Sequence, residues 1–384
     1  MDILIDKDFP GGNIFVESIS GSDILLNPEL RDTDGNWFYW CCRVRGAAGQ
    51  KLHFRVQLPQ ACEYPTLPHI GPAVCSNNGD WKWSKFGKTG YNSFEYQFAA
   101  EEKEVYFSNT IPYTEKNWQN FLKEQNLPDC ELCRSEAGRR VEKLEIQKGE
   151  ATTQYLITAR HHCCETIASF ALEGMILELL QNCSDFSLLM LPFMDKDGCE
   201  EGDQGKNRRP YDHNRDYRED SSRYASVKAL REYVKNWLDP NCKLFAFDMH
   251  CPHINDDFPH WVESAEESIR EKQHLFAKCL EKTQKAGFGF HANSGVQFGK
   301  SWNCKKNPTA GNWFATLENI EVAMTIETPY SRCKEECRIF DYNTGESKMA
   351  KAPGSPKKGK KISPSGTRKW GKDIIRATQK YLQK

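Results

Sequence analysis

The sequence lacks a long hydrophobic run, and this absence excludes one class of protein. No apolar stretch among the 384 residues approaches the roughly 18 to 20 residues that a helix needs to cross a bilayer. Residues 1–6 also lack a basic segment followed by an apolar core, so no signal peptide is predicted. We therefore expect no membrane partner.

The chain also lacks an excess of charge of either sign. It has 52 lysines and arginines against 53 aspartates and glutamates. Proteins that bind nucleic acids usually concentrate positive charge on part of their surface. The composition therefore gives no indication of a nucleic acid partner.

A second Cys-x-x-Cys is missing too, although cysteine is abundant. Cys130 and Cys133 form one such pair, and a structural zinc ribbon needs two. In the absence of an export signal, the sixteen cysteines are expected to be reduced thiols rather than a disulfide framework. This pattern predicts a cytoplasmic protein.

The chain falls into two parts with different patterns. Residues 1–115 contain short strand-like runs separated by Gly, Asn, Asp and Pro, which predicts an antiparallel β-sandwich domain. Residues 116–384 alternate between strand-like and helix-like segments, which predicts an α/β domain with a mainly parallel mixed sheet flanked by helices. The candidate functional residues all fall in this second part, at the ends of predicted strands, where sites in such sheets gather.

A histidine and a glutamate stand at a strand-to-helix junction in the second part. Residues 155–158 are strand-like, and residues 166–180 are rich in Leu, Ala, Met and Glu without proline, which predicts a buried helix. His162 and Glu165 lie between them, so one turn of chain can direct both side chains at one point. Zinc accepts imidazole and carboxylate ligands, and catalytic sites often use two His and one Glu. The alternative is that the pair merely caps the helix.

Two later strands end in residues that could complete such a site. The apolar run 245–249 leads to His250, which offers a third ligand, although His253 is a rival. Glu327 is the one carboxylate in the β-rich run 324–328. A charge within a strand is costly unless it is exposed, paired or functional, so Glu327 is a candidate catalytic residue.

The segment between these strands is rich in arginine. Arg208, Arg209 and Arg215 lie within a stretch of eight residues. Planar guanidinium groups hold carboxylates through paired hydrogen bonds, so this stretch is a candidate binding site for a carboxylate.

Taken in order, these segments resemble the zinc carboxypeptidases of the M14 family. Residues 159–165 read Ala-Arg-His-His-Cys-Cys-Glu, which is similar to the Ala-Arg-x-His-x-x-Glu motif of the cytosolic carboxypeptidase branch. The resemblance covers about residues 150–330, and more weakly the N-terminal part, where that branch carries a β-sandwich. It implies a zinc carboxypeptidase-like fold, and one zinc ion per chain held by His162, Glu165 and His250.

The same resemblance implies a role for each remaining candidate. Glu327 matches the general base, and Arg208 matches the arginine that stabilises the oxyanion, with Arg209 as the alternative cation at the substrate. Asn214 and Arg215 match the pair that binds the substrate's terminal carboxylate. The implied function is zinc-dependent hydrolysis of the C-terminal peptide or isopeptide bond of peptides or proteins.

The chain departs from the family pattern at two places. Cys163 and Cys164 stand where the cytosolic branch usually has Pro-Gly; either a thiolate there competes for zinc or the two are inert small residues, which is the interpretation we favour. No tyrosine lies within residues 300–321, where the family places the tyrosine that covers the bound substrate. Lys305 and Lys306 lie in that stretch and predict a preference for acidic terminal residues.

Two other functions stay open from the sequence. One is an amide hydrolase of the same fold that acts on small N-acyl amino acids or on cell-wall peptides. The other is a non-catalytic protein that binds the end of a peptide.

Overall fold

A computed structural model describes most of the chain. The described residues are 2–58, 64–77, 79–128, 130–219, 222–342, 344–351, 353 and 359–384. None of the helices in these ranges combines the length and the apolar character needed to cross a membrane.

The N-terminal part is built from short strands. They are β1 (Leu4–Asp6), β2 (Phe15–Ser20), β3 (Asp23–Asn27), β4 (Cys41–Arg45), β5 (Lys51–Val56), β6 (Ala73–Ser76), β7 (Lys82–Trp83), β8 (Ser93–Gln97) and β9 (Glu104–Ser108).

These strands form two sheets around one apolar core. One sheet has the order β1-β4-β9-β6-β7 and the other β2-β3-β5-β8. Alternate residues such as Leu26, Phe54 and Phe107 are buried together in one core cluster. The strand pairs are antiparallel except β3 with β5, because the chain passes through the other sheet at β4 between them.

The rest of the chain alternates between strands and helices. The strands are β10 (Cys130–Arg134), β11 (Arg140–Lys148), β12 (Thr153–Ala159), β13 (Phe186–Leu191), β14 (Lys243–His250), β15 (His260–Val262), β16 (Ile320–Glu327), β17 (Arg332–Cys333), β18 (Glu336–Asp341), β19 (Glu346–Lys351) and β20 (Lys360–Lys361). The helices are α1 (Glu115–Gln125), α2 (Thr166–Asn182), α3 (Lys196–Glu201), α4 (Ala225–Trp237), α5 (Glu267–Thr283), α6 (Ala310–Phe314) and α7 (Pro364–Leu382).

A seven-stranded mixed sheet forms the centre of this part, in the order β10-β11-β13-β12-β14-β16-β15. Strands β13, β12, β14 and β16 run parallel to one another. Strand β11 pairs antiparallel with β13, and β15 pairs antiparallel with β16. The predicted fold class, a mainly parallel mixed sheet preceded by antiparallel sheets, is confirmed. The division into two domains at residue 115 stays a prediction.

Strand register brings the candidate residues to one edge of this sheet. Ala159 at the end of β12 pairs with Met249 in β14, and His250 pairs with Glu327 at the end of β16. Because parallel strands end at the same edge, the residues that follow β12, β14 and β16 lie close together.

Helix α2 gives the loop after β12 a rigid support. It is buried along most of its length and packs closely on α7. A Cβ at Gly174 would lie 1.9 Å from the carbonyl oxygen of Arg368, and one at Gly371 would lie 1.9 Å from that of Ala171. Only glycine at these two positions allows α2 and α7 to approach so closely. The contact with α7 therefore holds α2 in place.

Candidate metal centre and active site

Buried Arg160 shapes the loop between β12 and α2. Its backbone is left-handed, with φ of 62°, a conformation that is unusual for a residue with a side chain. Its guanidinium donates from Nε to the carbonyl oxygen of Cys163 at 2.8 Å and from Nη1 to that of Tyr113 at 2.9 Å. These bonds fix the turn that brings His162 and Glu165 to the same side of the chain.

His162, Glu165 and His250 converge on one point. Nδ1 of His162 lies 2.9 Å from Oε1 of Glu165, and Nδ1 of His250 lies 2.8 Å from Oε2 of the same carboxylate. One ligand atom from each residue lies within 4.8 Å of the other two. Two imidazole nitrogens and a carboxylate are the donors that zinc takes in catalytic sites.

The far sides of the two imidazoles also face carboxylates. Nε2 of His250 lies 2.6 Å from Oδ2 of Asp248, and Nε2 of His162 lies 3.8 Å from Oδ1 of Asp212. Burial acts to lower the pKa of His250, but Asp248 and Glu165 outweigh burial and hold this pKa well above its usual value. Ligand histidines commonly present one nitrogen to the metal and the other to a carboxylate, so the residues present fit a metal ion.

A second trio, His161, Asp248 and His250, also has the ligand types for a metal. Both nitrogens of His161 are engaged, Nδ1 with Asp248 Oδ1 at 2.9 Å and Nε2 with the hydroxyl of Tyr217 at 2.7 Å. Thr158 donates to the same oxygen of Asp248 at 2.8 Å. The His161 nitrogens and the Asp248 carboxylate therefore already have hydrogen-bond partners, and they support the His250 ring on its Nε2 side.

His253, the rival ligand, belongs to neither trio. Its Nε2 lies 3.2 Å from the hydroxyl of Tyr64. Cys163 and Cys164 also lie outside both trios, and burial raises the pKa of Cys164 to about 12 and that of Cys163 well above its usual value. Neither thiol joins a donor set found among the described residues, which supports the interpretation of the two cysteines as inert small residues.

The first trio opens into a cleft of about 460 Å³, a size typical of small-molecule and peptide-end sites. Besides the trio, the residues that line it include Trp37, Lys206, Asp212, Asn214, Arg215, Asp256, His260, Trp302, Lys305, Asn312, Thr325 and Glu327.

Glu327 is a buried carboxylate at this cleft. It is 8% exposed, and its Oε2 has no hydrogen-bond partner in the described part of the chain. Burial raises its pKa to about 7; the negative charge of Glu165 adds to this effect, and the nearby cations His250 and Lys206 oppose it. A carboxylate with a free oxygen and a pKa near neutrality is suited to accept and return a proton.

The structure does not bring Arg208 or Arg209 to the cleft, which corrects the placement expected from the sequence. The guanidinium of Arg208 contacts Asp32 at 3.0 Å, Asp195 at 2.7 Å and Asp203 at 2.8 Å. We call these four residues the Arg208 cluster. Arg209 is largely exposed and pairs with Asp34. Arg208 is neutralised by three carboxylates, so it is not free to face a substrate.

Lys206 is the cation that reaches the cleft instead, and the sequence did not single it out. Its Nζ lies 2.6 Å from Oε1 of Glu165 and 4.7 Å from the centre of the Trp37 ring. Burial acts to lower the pKa of Lys206, but Glu165 and Glu327 raise it above its usual value. Lys206 therefore carries a full positive charge beside the candidate metal site.

The remaining candidates lie partly where the sequence places them. Asn214 and Arg215 line the cleft, and Oδ1 of Asn214 accepts a hydrogen bond from Ala310 N at 2.9 Å. Lys305 lines the cleft, whereas Lys306 is exposed and pairs with Glu266.

No tyrosine is among the described residues that line the cleft, and Trp302, which is 54% exposed, stands at its wall. No other part of the described chain therefore supplies a tyrosine to the cleft in place of the one missing from residues 300–321.

Comparison with known sequences finds distant relatives. No model of a known protein family matches the chain. An uncharacterized protein of Zymomonas mobilis is 23% identical over 355 residues, which are 86% of this chain and 88% of that protein. The cytosolic carboxypeptidase 2 of Macaca fascicularis is 24% identical over 220 residues, which are 51% of this chain and only 26% of that protein.

Comparison with solved structures finds the same architecture along the whole chain. A metallo-carboxypeptidase from Burkholderia cenocepacia superposes with a TM-score of 0.76 at 18% identity, covering 100% of this chain and 99% of that one. A metallo-carboxypeptidase from Pseudomonas aeruginosa, in complex with (2-guanidinoethylmercapto)succinic acid, superposes with a TM-score of 0.74 at 18% identity, covering 99% of each chain. The chain therefore has the fold of the metallo-carboxypeptidases, as its ordered motifs predicted.

Proposed function

We propose that this protein is a zinc-dependent metallocarboxypeptidase that hydrolyses the C-terminal peptide or isopeptide bond of peptides or proteins. The observation that carries the proposal is the convergence, in one cleft, of a two-histidine, one-glutamate donor set with the carboxylate of Glu327, whose Oε2 has no hydrogen-bond partner among the described residues. The shared fold with metallo-carboxypeptidases supports it.

His162, Glu165 and His250 would hold the zinc ion. Zinc, when bound, supplies a Lewis acid that polarises the scissile carbonyl and acidifies water. Asp248 lies within hydrogen-bond distance of Nε2 of His250 and orients that ring, and Asp212 lies 3.8 Å from Nε2 of His162.

Glu327 is the proposed general base. It would take a proton from the attacking water at its free carboxylate oxygen and pass this proton to the leaving amine. Its burial and its position in register with His250 support the assignment.

Lys206 is the proposed cation for the charge that develops on the carbonyl oxygen. It replaces Arg208 in this role, because Arg208 is held by three carboxylates away from the cleft. A fixed positive charge in a partly buried site stabilises a developing oxyanion more than it would in water.

Asn214 and Arg215 are proposed to bind the terminal carboxylate of the substrate. Arg215 lines the cleft with its planar guanidinium, and its Nη1 is fixed by the carbonyl oxygen of Asn214 at 2.9 Å. Recognition of a terminal carboxylate restricts the enzyme to chain ends.

A preference for acidic terminal residues and a cytoplasmic location complete the proposal. Lys305 supports the first, because it lines the cleft as a positive charge. The second is supported by the cysteines, since every cysteine in the described ranges is a free thiol.

The test is the zinc content of the purified protein, measured together with the release of C-terminal amino acids from a mixed peptide library, with and without a chelator. We expect about one zinc ion per chain and chelator-sensitive release. The identity of the released residue reports the side-chain preference.

Bound zinc without release from any peptide would contradict the carboxypeptidase proposal. A parallel assay with N-acyl amino acids and cell-wall peptides then identifies a small-amide hydrolase. Binding of peptide ends without any hydrolysis identifies a binding protein.

A further inference from the structure

The loop that carries Lys206 is held by the N-terminal part of the chain. The carboxylate of Asp32 accepts hydrogen bonds from the backbone N of Gln204 at 3.0 Å and of Gly205 at 2.8 Å. It also accepts one from Nε of Arg208 at 3.0 Å. The carboxylate of Asp32 thus holds the backbone just before Lys206 and the side chain of Arg208 just after it.

A second contact strengthens this attachment. The side chain of Gln204 is fully buried and donates to the carbonyl oxygens of Tyr39 at 2.8 Å and of Glu29 at 3.1 Å. It also accepts from the backbone N of Tyr39 at 2.9 Å. Residues 29–39, which we call the N-terminal clasp, therefore bind the loop through backbone and side-chain groups together.

The loop is also packed tightly against the candidate metal site. Gly205 has φ of +72°, and a Cβ there would lie 2.4 Å from the backbone N of Cys163. Cys163 directly follows the ligand His162. The loop therefore lies between the clasp and the ligand turn, and any shift of the loop moves Lys206 relative to the metal ligands.

Trp37 belongs to the N-terminal clasp and also lines the cleft. Its ring faces Nζ of Lys206 at 4.7 Å, and Lys206 is nearly buried. On the other side, Glu165 attracts the same ammonium at 2.6 Å. A tryptophan face attracts a cation through its negative π surface, and most strongly where water is excluded. The position of the ammonium is thus set by one carboxylate and one aromatic ring.

We infer that Trp37 is a positioning residue of the active site: its indole ring holds the Lys206 ammonium where the substrate carbonyl is attacked. The inference rests on the proposed function. It makes the N-terminal β-rich part a component of the catalytic centre, because the clasp supplies both the ring and the anchor of the Lys206 loop.

A double-mutant cycle tests this coupling. Trp37→Leu should lower kcat about 2- to 30-fold, the range expected for a lost cation–π contact, and leave KM and zinc content unchanged. In a Lys206→Gln background the same substitution should cause no further loss, because the cation that it positions is gone. Trp37→Tyr should restore most of the activity, since it restores an aromatic face.

Two controls make the result specific. Trp81→Leu removes a half-buried tryptophan of the same N-terminal part that does not line the cleft, and it should leave kcat unchanged. Thermal unfolding of each variant separates a loss of positioning from a loss of folded protein.

A readout independent of turnover is the labelling of Lys206 by an amine-reactive reagent, followed by peptide mass spectrometry. Trp37→Leu should speed this labelling, because loss of the indole ring exposes the nearly buried amine to solvent and to the reagent. Unchanged labelling, or an equal loss of kcat in both Lys206 backgrounds, would overturn the inference. Absence of peptide hydrolysis by the wild-type protein would instead overturn the proposed function, and the labelling experiment would still decide the role of Trp37.

Discussion

The cleft and the Arg208 cluster flank the same loop and contain the same kinds of charged residue, yet they differ in how these charges are paired. In the Arg208 cluster one guanidinium satisfies three carboxylates at 2.7 to 3.0 Å. In the cleft, Oε2 of Glu327 finds no hydrogen-bond partner in the ranges that the structure describes, and the three donor residues contact one another. The carboxylates of the cluster are held in ion pairs, with Arg31 also contacting Asp203 at 2.7 Å, whereas the Glu327 carboxylate lines the cleft where a substrate can reach it.

The difference teaches that residue type alone does not assign a role. Lys206 and Arg208 are cations two residues apart, of which Lys206 is buried and Arg208 is partly buried. Their roles differ because Arg208 meets three carboxylates and Lys206 meets a metal-ligand carboxylate and an aromatic ring. Substitutions on the two sides of the loop should therefore have different consequences.

Loss of a metal ligand is the largest expected effect on the cleft side. His162→Ala should weaken zinc binding by more than about 100-fold, since even changes to residues behind the ligands cost about 10- to 100-fold. Metal analysis after dialysis measures this loss. Asp203→Asn in the Arg208 cluster should keep its zinc, and full zinc content in His162→Ala would remove that residue from the ligand set.

Loss of the cleft cation should reduce catalysis without removing the metal. Lys206→Gln should lower kcat about 100- to 1,000-fold, the effect of removing one donor to a developing oxyanion. Steady-state kinetics on the preferred peptide measures this change. Arg208→Gln should cause a much smaller loss in protein that remains folded. If the two effects were reversed, Arg208 would be the cation of the reaction.

The Arg208 cluster should instead respond in stability. Arg208→Gln removes the guanidinium that faces the buried carboxylate of Asp195 and should lower the free energy of unfolding by about 3–5 kcal/mol. Urea denaturation measures the change. Arg209→Gln is the matched control, because its exposed pair with Asp34 should contribute no more than about 1 kcal/mol. Equal effects of the two substitutions would contradict the structural role of the cluster.

The smallest expected effect concerns specificity at the mouth of the cleft. Lys305→Ala should reduce the preference for a terminal Glu over a terminal Leu about 2- to 5-fold, because an exposed charge is screened by water. Comparison of kcat/KM for two peptides that differ only in their last residue measures it. Lys306→Ala should leave this ratio unchanged, since Lys306 lies outside the cleft. A preference of the wild-type protein for a terminal Leu would contradict the proposed preference for acidic terminal residues.

Much of the fold and the donor set could be predicted from sequence order and strand chemistry. Apolar runs that end in His250 and Glu327 predict buried parallel strands, and parallel strands end at one edge, so these residues were expected near His162 and Glu165. The structure brings these four residues together, while their roles stay predictions.

The cation of the cleft could not be predicted in the same way. Lys206, Arg208 and Arg209 are close neighbours, and only their partners distinguish them. The partner Asp32 is 176 residues away from Arg208 in sequence, and Trp37 comes from the N-terminal part as well. No local sequence pattern distinguishes Lys206 from Arg208, because the contacts of these two residues form only when the two parts of the chain pack together. Asp248 lies within the run that leads to His250, but only the histidine was singled out from the sequence.

The most direct test of the central claim is the activity of Glu327→Gln measured beside its zinc content and its affinity for peptide. If Glu327 is the base of a zinc carboxypeptidase, this variant should keep its zinc and bind peptide as the wild-type protein does, while kcat falls about 100- to 10,000-fold. Glu266→Gln, which changes an exposed glutamate nearby, should behave as the wild-type protein. Normal turnover by Glu327→Gln would contradict the account.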